Sequence, residues 1–251
     1  MRRGVSKDGW AIRPARRSIL ISTRNSTPPQ TAAGLPRSLV LDLDGTLVDT
    51  VPDLAAALNR LMAGRGLPGF TAAEVAPMVG DGVRKLLERA FAARERSLDA
   101  DALAAYLADY ADHAAVLSRA YPGVPETLRA LTGAGWRLAV CTNKPEAPSR
   151  SLLAALGLDG FFAAIGAGDS FPTRKPDPAH LLATLKAAGG TPARAVMAGD
   201  HRNDVLAAAG LGMPAIFAAW GYGAAEMGAQ AAAVAYRFSD LPAIAARLLG
   251  G

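Results

Sequence analysis

Short runs of apolar residues alternate with segments of helical periodicity along most of this 251-residue chain. Each run has the length and composition of a buried β-strand. The runs cover residues 38–43, 136–141, 162–167, 195–198 and 215–219. The helical segments cover residues 125–134, 147–156, 178–188 and 203–209. Because strand, helix and strand connect as a right-handed parallel unit, the alternation predicts an α/β fold built on a doubly wound parallel sheet.

One stretch between the first two strands departs from this pattern. Residues 52–121 show only helical periodicity, for example at Leu54 and Leu58. A simple crossover between parallel strands needs far fewer residues. We therefore predict a small inserted helical cap domain at 52–121 and an α/β core at 38–51 and 122–251. An insertion after the carboxyl end of a strand lies above the usual ligand crevice of such a sheet, which favours a lid.

Charge is distributed unevenly along the chain. There are 27 Lys and Arg residues against 22 Asp and Glu residues, which gives a formal net charge of +5. Residues 1–37 contain eight basic residues and one acidic residue, so the remaining 214 residues have a net charge of −2. We therefore predict no nucleic-acid partner for the core. The composition of the leader, residues 1–37, predicts a disordered extension, with a transit peptide or a nucleic-acid-binding arm as alternatives.

Residues 205–225 carry no charged side chain, and the stretch is about as long as a membrane-spanning helix. Gly210, Pro214 and Gly221 interrupt it, so we predict buried globular structure and no membrane span. The chain has one cysteine, Cys141, which excludes an internal disulfide and a site with several thiolates. Nothing in this pattern indicates an oxidising compartment, and we expect a cytoplasmic protein.

Paired carboxylates follow the first predicted strand. Asp42 and Asp44 come at its carboxyl end, and Gly45 allows the chain to turn sharply there. Carboxylates so close together repel each other unless a cation or a shared proton relieves them. Oxygen ligands suit Mg²⁺, and no cluster of Cys or His favours zinc. The alternative is that these acids cap the next helix, which fits Asp49 but not Asp42, because a carboxylate at an apolar strand end is costly without a partner.

A third and a fourth acid follow a later strand. Of the Gly-Asp pairs in the chain, only Gly199-Asp200 follows a short apolar strand and has another acid, Asp204, at the start of a helix. A residue at a strand tip and one in the next helical turn can face the same ion. We therefore predict Asp200 as a metal ligand and Asp204 as a direct or outer partner of the metal.

Two further polar sites favour a phosphate pocket. Thr142 and Asn143 end the second strand, where hydroxyl, amide and backbone N–H groups can hold phosphate oxygens near a helix N-terminus. Lys175 lies in TRKPDP, where two prolines stiffen the backbone. For each site in isolation the alternative is ordinary, a helix N-cap for Thr142 and a solvated surface charge for Lys175.

These residues carry a family resemblance. Asp42-x-Asp44-x-Thr46, Thr142, Lys175 and Gly199-Asp200-x-x-x-Asp204 occur in the order of the four motifs of the haloacid dehalogenase (HAD) superfamily. The resemblance covers about residues 38–240. Within the superfamily, segments such as YPGVPETL, RKPDP and WGYG are similar to bacterial phosphoglycolate phosphatases.

The resemblance implies a Mg²⁺-dependent phosphomonoester hydrolase, most similar in motifs to enzymes acting on 2-phosphoglycolate. Asp42 would be the nucleophile that forms an aspartyl phosphate. Asp44 would protonate the leaving alkoxide and then activate water. Asp42, the backbone carbonyl of Asp44, and Asp200 would bind Mg²⁺, with Asp204 beside them. The small phosphorylated metabolite would be the partner, and the sequence leaves monomer and homodimer open.

The same resemblance assigns the phosphate and substrate contacts. Thr142 and Lys175 would hold the oxygens of the transferring group, together with Gly45 and Asn143. The helical insert would be the cap that closes over the substrate. Its candidates for reading the leaving group are Asp81, Gly82 and Arg84, the last suited to a carboxylate.

Two positions depart from the family pattern. His201 stands where Ser usually follows the Gly-Asp pair, and Leu41 replaces a bulky aromatic before the first acids. Alternative functions keep the chemistry and change the substrate to pyrophosphate, a sugar phosphate or another small ester. A noncatalytic phosphate or nucleic-acid binder is disfavoured, because it would not require the full set of acids and Lys175.

Overall fold

A computed structural model describes Met1 and residues 36–250. The predicted disordered leader, 1–37, lies outside the described residues except at its two ends. Residues 36–250 belong to one compact unit.

Eight strands form a large sheet and a small ribbon. They are β1 Ser38–Leu41, β2 Val48–Asp49, β3 Arg119–Ala120, β4 Arg137–Cys141, β5 Phe162–Gly166, β6 Ala195–Gly199, β7 Ala215–Ala218 and β8 Ala233–Ala235. The sheet has the order β5-β4-β1-β6-β7-β8 with parallel neighbours, and β2 pairs with β3 in antiparallel fashion. The predicted doubly wound parallel sheet is confirmed, with β1 in its interior.

Nine α-helices are found in the described part of the chain. They are α1 Val51–Ala63, α2 Ala72–Val75, α3 Val83–Ala92, α4 Ala102–His113, α5 Val124–Gly133, α6 Glu146–Ala155, α7 Pro178–Ala187, α8 Arg202–Ala209 and α9 Leu241–Leu248. The four helices predicted after the cap segment, α5 to α8, lie within one residue of the expected bounds. Helix α9 and strand β8 are additions that the periodicity did not indicate.

Helices cover both faces of the sheet because successive strand residues point to opposite sides. On one face, Leu39 and Leu41 belong to a core cluster that includes Leu128 of α5 and Leu152 of α6. On the other face, Val40 belongs to a cluster with residues of α7 and α8. Burial on both faces explains why the strands are continuous apolar runs rather than alternating ones.

The segment 52–121 contains helices α1 to α4 almost entirely and has a core cluster of its own. Leu58, Met62, Phe91 and Tyr106 are among its fully buried side chains. The β2–β3 ribbon lies at the base of this segment, with Val48 opposite Ala120. The division into a core and a cap at the stated boundaries stays a prediction.

A buried carboxylate connects the two ends of this segment, the start of α1 and the chain just before β3. Asp53 accepts hydrogen bonds from the backbone N–H of Leu117 (2.9 Å to Oδ1) and from the backbone N–H and hydroxyl of Ser118 (2.8 and 2.6 Å). Three donors of this kind stabilise a buried carboxylate that would otherwise be costly.

The uncharged stretch 205–225 is divided between the end of α8, strand β7 and a glycine-containing loop. Within the described residues there is no helix with the length and apolarity required to cross a membrane.

Candidate active site

Asp42 lies at the centre of the carboxyl edge of the sheet. The register aligns Leu41 with Val140 of β4 and with Ala198 of β6, so the next residue emerges between the ends of those two strands. The backbone N–H of Asp42 donates to the carbonyl of Ala198 (3.0 Å), and its carboxylate accepts from the N–H of Leu43 (2.7 Å). Both contacts fix the direction of the Asp42 side chain.

Three buried carboxylates converge at this edge. Asp42, Asp200 and Asp204 each offer one oxygen, and these oxygens all lie within 4.8 Å of one another. Asp200 is also held by the hydroxyl of Thr46 (2.9 Å) and the N–H of Tyr222 (2.8 Å). The sequence placed these three acids in one site, and the structure brings them together.

Burial raises the pKa of two of these carboxyl groups. The pKa of Asp42 rises to about 6, since burial and Asp204 outweigh the opposing attraction of Lys175. The pKa of Asp200 rises to about 7, because burial is reinforced by repulsion from Asp42 and Asp204. A group of buried acids that resist ionisation is a site that a bound cation would stabilise.

Lys175 provides the positive charge inside this cluster. Its Nζ lies 2.8 Å from Asp42 and 2.6 Å from Asp204, and only 1% of its side chain is exposed. Burial alone would lower the pKa of Lys175, but Asp204 and Asp42 raise it above its usual value. The ammonium group therefore stays charged between the carboxylates of Asp42 and Asp204.

A buried histidine supports the Lys175 loop. The backbone N–H of Lys175 donates to Nδ1 of His180 (3.2 Å), while Nε2 of His180 lies 3.0 Å from the carbonyl of Ala167. Burial lowers the pKa of His180 to about 4, so the ring is neutral and one nitrogen can accept. His180 therefore supports the loop of Lys175 from inside the core.

Two glycines allow the acids to approach the backbone. Gly45 has a φ of +81°, and a Cβ there would lie 2.3 Å from Oδ2 of Asp200. A Cβ on Gly199 would lie 2.1 Å from Oδ2 of Asp204. Any side chain at either position would displace a predicted metal ligand, which explains why glycine stands beside the acids.

Thr142 and Asn143 lie next to the acids at the end of β4. The hydroxyl of Thr142 accepts a hydrogen bond from the N–H of Lys144 (3.2 Å) and keeps its own proton available. The side-chain NH₂ of Asn143 donates to the carbonyls of Gly80 and Lys175, both at 3.0 Å. Both N–H donors of the Asn143 side chain are thereby occupied. Its backbone N–H remains as the donor for the predicted phosphate contact.

The loop 79–82 of the helical segment lies against the core. Gly80 accepts hydrogen bonds from Asn143, as above, and from Asn203 (3.3 Å). Oδ1 of Asp81 accepts a second hydrogen bond from Asn203 (2.7 Å), and its other oxygen pairs with Arg89. Asp81 is therefore occupied in holding this loop to α8.

The cleft between the loop and the core is nearly closed. Its lining includes Asp44, Val79, Gly80, Asp200, His201 and Tyr222. Its free volume of about 10 Å³ is close to the space that one water molecule occupies. Entry of a substrate therefore requires this loop to move.

The predicted substrate residues of the segment have different surroundings. Gly82 precedes α3, and a Cβ on it would lie 3.4 Å from the carbonyl oxygen of Asn143. The side chain of Arg84 is exposed in the first turn of α3 and forms no hydrogen bond or ion pair among the described residues. Its role in reading the leaving group stays a prediction.

Comparison with known proteins places this site in a family. The model of the haloacid dehalogenase-like hydrolases matches residues 36–212, which include all the acids and Lys175. The chain belongs to this family. It is therefore a hydrolase.

Several relatives of this hydrolase have a common name. A phosphoglycolate phosphatase of Agrobacterium fabrum is 46% identical over 73% of this chain and 80% of its own. One of Caulobacter vibrioides is 45% identical over 74% of this chain and 80% of its own. Among solved structures, a predicted phosphoglycolate phosphatase of Haemophilus somnus superposes with a TM-score of 0.77 at 31% identity, over 83% of this chain and 97% of that one.

Lys144 is a site residue that the sequence reasoning missed. Its Nζ lies 3.1 Å from Oδ1 of Asp44 and 2.8 Å from the hydroxyl of Tyr110 in α4. Asp44 and Tyr110 raise the pKa of Lys144 above its usual value, although burial acts in the opposite direction. The signal available in the sequence was its place directly after Thr142 and Asn143, at the end of β4.

Asp49 does not cap the following helix, contrary to the sequence-based expectation. Thr50 is the N-cap of α1, and its own side chain makes no capping hydrogen bond. Asp49 accepts instead from the hydroxyl of Tyr222 (2.7 Å), which in turn accepts from the N–H of Thr50 (2.7 Å). The hydroxyl of Tyr222 therefore caps α1. Because Tyr222 is distant in sequence, no local pattern could have indicated this contact.

His201 occupies the position where the family pattern usually has Ser. Its Nδ1 accepts from the N–H of Asn203 (3.2 Å) and caps α8. A Cβ on Gly80 would lie 2.5 Å from Cδ2 of His201, so the ring packs directly on the loop 79–82. His201 therefore contributes to the closed entrance, whereas Asp200 is held by Thr46 and Tyr222.

Proposed function

We propose that this hydrolase is a Mg²⁺-dependent phosphatase that converts 2-phosphoglycolate to glycolate and phosphate through an aspartyl phosphate. The observation that supports it most is the convergence of Asp42, Asp200 and Asp204 around one point, with Lys175 beside them. This set combines a nucleophile, a cation site and a fixed positive charge. Such a combination suits phosphoryl transfer.

The donor set fits Mg²⁺. The three carboxylates are oxygen ligands, and their raised pKa values express a repulsion that a divalent cation would relieve. Asp42, Asp200 and Asp204 would hold the ion, together with the backbone carbonyl of Asp44. When bound, Mg²⁺ would offset negative charge on the transferring group.

The proposed reaction has two steps at phosphorus. In the first, a carboxylate oxygen of Asp42 forms a bond to phosphorus, the ester bond breaks, and Asp44 gives its proton to the leaving oxygen. In the second, Asp44 takes a proton from water as the water oxygen attacks phosphorus and the bond to Asp42 breaks. Lys175 and Thr142 hold the other phosphate oxygens throughout.

Segment 52–121 acts in this proposal as the cap. Its loop 79–82 contacts Asn143, Asn203 and His201 of the core and leaves almost no free space at Asp44. Opening would admit the ester, and closing would exclude bulk water from the acyl phosphate.

The choice of 2-phosphoglycolate is tested with a panel of small phosphate compounds. With Mg²⁺ present, kcat/KM for 2-phosphoglycolate is expected to exceed that for pyrophosphate and for hexose phosphates by at least about 100-fold, the scale that unpaired polar groups impose on a wrong substrate. Release of inorganic phosphate measures all three. A hexose phosphate hydrolysed faster than 2-phosphoglycolate would overturn the substrate and keep the phosphatase chemistry.

Mg²⁺ is expected to stabilise the protein more at pH 8 than at pH 5. The folded-state pKa values of Asp42 and Asp200, about 6 and about 7, lie above the ordinary value of 3.8. The metal-free fold therefore binds more protons than the unfolded chain between those values, and it loses stability as pH rises through that window. Mg²⁺ competes with these protons, so its contribution grows over the same range.

The measurement is Tm with Mg²⁺ and with NaCl of equal ionic strength, at both pH values. At about 100 times its Kd, Mg²⁺ should add about 2.7 kcal/mol at pH 8, or roughly 5–10 °C in Tm, and less than half of that at pH 5. Asp200→Asn should remove most of the difference. An equal rise at both pH values would contradict this assignment of the metal ligands.

A further inference from the structure

The ammonium group of Lys144 connects the two parts of the site. It contacts Asp44, which follows β1, and Tyr110, which belongs to the helical segment. Only 2% of the Lys144 side chain is exposed. A buried ammonium is costly unless its partners are in place, so its position depends on both contacts.

The backbone of Lys144 is fixed independently of its side chain. Its N–H donates to the hydroxyl of Thr142 (3.2 Å), and its carbonyl accepts from the N–H of Gly168 (2.8 Å). The loop thus presents Lys144 from a rigid base toward Asp44. Positioning of a reacting group is most effective when the supporting residue is itself held in this way.

Asp44 depends on Lys144 for its orientation. Among residues 36–250, Lys144 is the only side chain that forms a hydrogen bond or ion pair with the carboxylate of Asp44, at 3.1 Å. The carboxylate is 13% exposed and lies at the cleft, where rotation of its side chain is not blocked by a second polar contact. The contact with Lys144 therefore selects one direction for it.

Tyr110 completes the position of Lys144 from the opposite side. Its hydroxyl lies 2.8 Å from Nζ, and Nζ lies 4.5 Å from the centre of its ring. The ring stacks on Tyr106 at 5.9 Å with an interplanar angle of 7°. Tyr110 is therefore fixed in α4, and it supplies its contact only while α4 lies against the core.

We propose that Lys144 is a positioning residue that holds Asp44 toward the leaving oxygen and the attacking water, and that Tyr110 completes this arrangement when the cap is closed. The inference rests on the proposed function, in which Asp44 transfers protons in both steps. Lys144 itself touches neither the phosphate nor the metal ligands Asp200 and Asp204. Its loss would slow turnover without weakening binding of the phosphate.

Lys144→Met tests the first half of the proposal. Since positioned acid–base catalysis contributes about 10²–10⁴-fold, misdirecting Asp44 should lower kcat by about 10–100-fold with KM changed less than about threefold. Lys144→Arg should recover part of kcat, because it restores a cation of similar reach. An unchanged kcat in Lys144→Met, or a loss that appears only in KM, would overturn the positioning role.

An aryl phosphate separates the two proton transfers. Its leaving group departs without a proton, so the first step in Lys144→Met should remain fast and the second slow. Aspartyl phosphate should then accumulate, seen as a burst of phenolate and a phosphorylated species in acid-quenched protein. Wild type should show neither, and absence of both in the variant would argue against a defect at Asp44.

Two tyrosines of one helix provide a matched pair for the second half. Tyr110→Phe removes the hydroxyl that accepts a hydrogen bond from Lys144. Tyr106→Phe removes the hydroxyl of the stacked neighbour, which donates to the carbonyl of Leu54 at 3.3 Å instead. Tyr110→Phe should lower kcat several-fold, while Tyr106→Phe should leave it within about twofold. Equal effects of the two variants would overturn the role of Tyr110.

Apart from the aryl phosphate test, the kinetic experiments use whichever substrate of the panel the wild type hydrolyses best, so a different substrate does not affect them. Crystal structures of Lys144→Met and wild type give a readout that needs no turnover. The carboxylate of Asp44 should leave its position in the variant. Should it stay in place, the positioning role is overturned even if the protein hydrolyses none of the esters. Tyr110→Phe keeps the proposal testable if Lys144→Met does not fold.

Discussion

Asp42→Asn is expected to abolish turnover while leaving the fold intact. The amide cannot form the acyl phosphate, so kcat should fall by about 10⁴-fold or more, the scale on which loss of a nucleophile acts in covalent enzymes. Burial already disfavours the ionised form of Asp42, whose pKa rises to about 6. Neutral Asn should therefore be tolerated, because Lys175 keeps its contact with Asp204 (2.6 Å).

Phosphate release and Tm measure the two parts of this expectation. Asp112→Asn is the matched control, because it makes the same chemical change at an exposed position of α4. It should retain wild-type kcat. Residual activity of Asp42→Asn above about 1% of wild type would remove Asp42 as the nucleophile, whereas loss of the folded state would mean that its carboxylate is structural.

Lys175→Met is expected to be the most destabilising change at the site. It removes the cation between Asp42 and Asp204, which lie 2.8 and 2.6 Å from Nζ. Breaking a buried ion pair from one side costs about 3–5 kcal/mol, because the remaining charges are left uncompensated. Activity should also be lost, since Lys175 is the side-chain cation proposed to hold the phosphate oxygens beside Asp42.

The destabilisation should depend on pH and on a second substitution. Loss should be smaller at pH 5, where raised pKa values allow the acids to be neutral, and larger at pH 8. Lys175→Met combined with Asp204→Asn should regain stability but not activity. Lys186→Met, at an exposed position of α7, should stay within about 0.5 kcal/mol of wild type. Chemical unfolding at both pH values provides the measurement.

The carboxyl-edge cluster was predictable because topology alone forces it. Side chains that directly follow parallel strands emerge at one edge, so Asp42 after β1 and Asp200 after β6 had to be neighbours once those strands paired. The apolar runs identified the strands, since burial on both faces leaves no room for polar residues. The same logic placed Thr142 beside them at the end of β4.

Contacts of the helical segment were not predictable in the same way. Arg84 was predicted to read a carboxylate of the leaving group; it lies exposed in the first turn of α3, and this role stays a prediction. Asp81 was also predicted as a substrate contact, which stays a prediction, and its bonds to Asn203 and Arg89 were not indicated by the sequence. The rotation of a helix about its axis is set by packing against distant residues, and periodicity gives only the apolar face.

Strand β8 and helix α9 escaped prediction for a related reason. Strand β8 spans only Ala233–Ala235, which is too short for a period to show. Helix α9, Leu241–Leu248, is a short helix in which only Leu241 and Ala245 are buried, so few positions carry its period. Strand β8 forms by pairing with β7, and α9 packs on the sheet.

By itself the sequence determined the doubly wound sheet, the acids at its edge and the chemistry that those acids can support. The reason is that the burial of the strands and their alternation with helices are visible in local composition. Only the tertiary structure decided which cation serves which acid. Lys175 holds Asp42 and Asp204, while Lys144 holds Asp44 beneath Tyr110. Those pairings join residues far apart in the chain, and their energies depend on burial and distance, which exist only after the helices have packed.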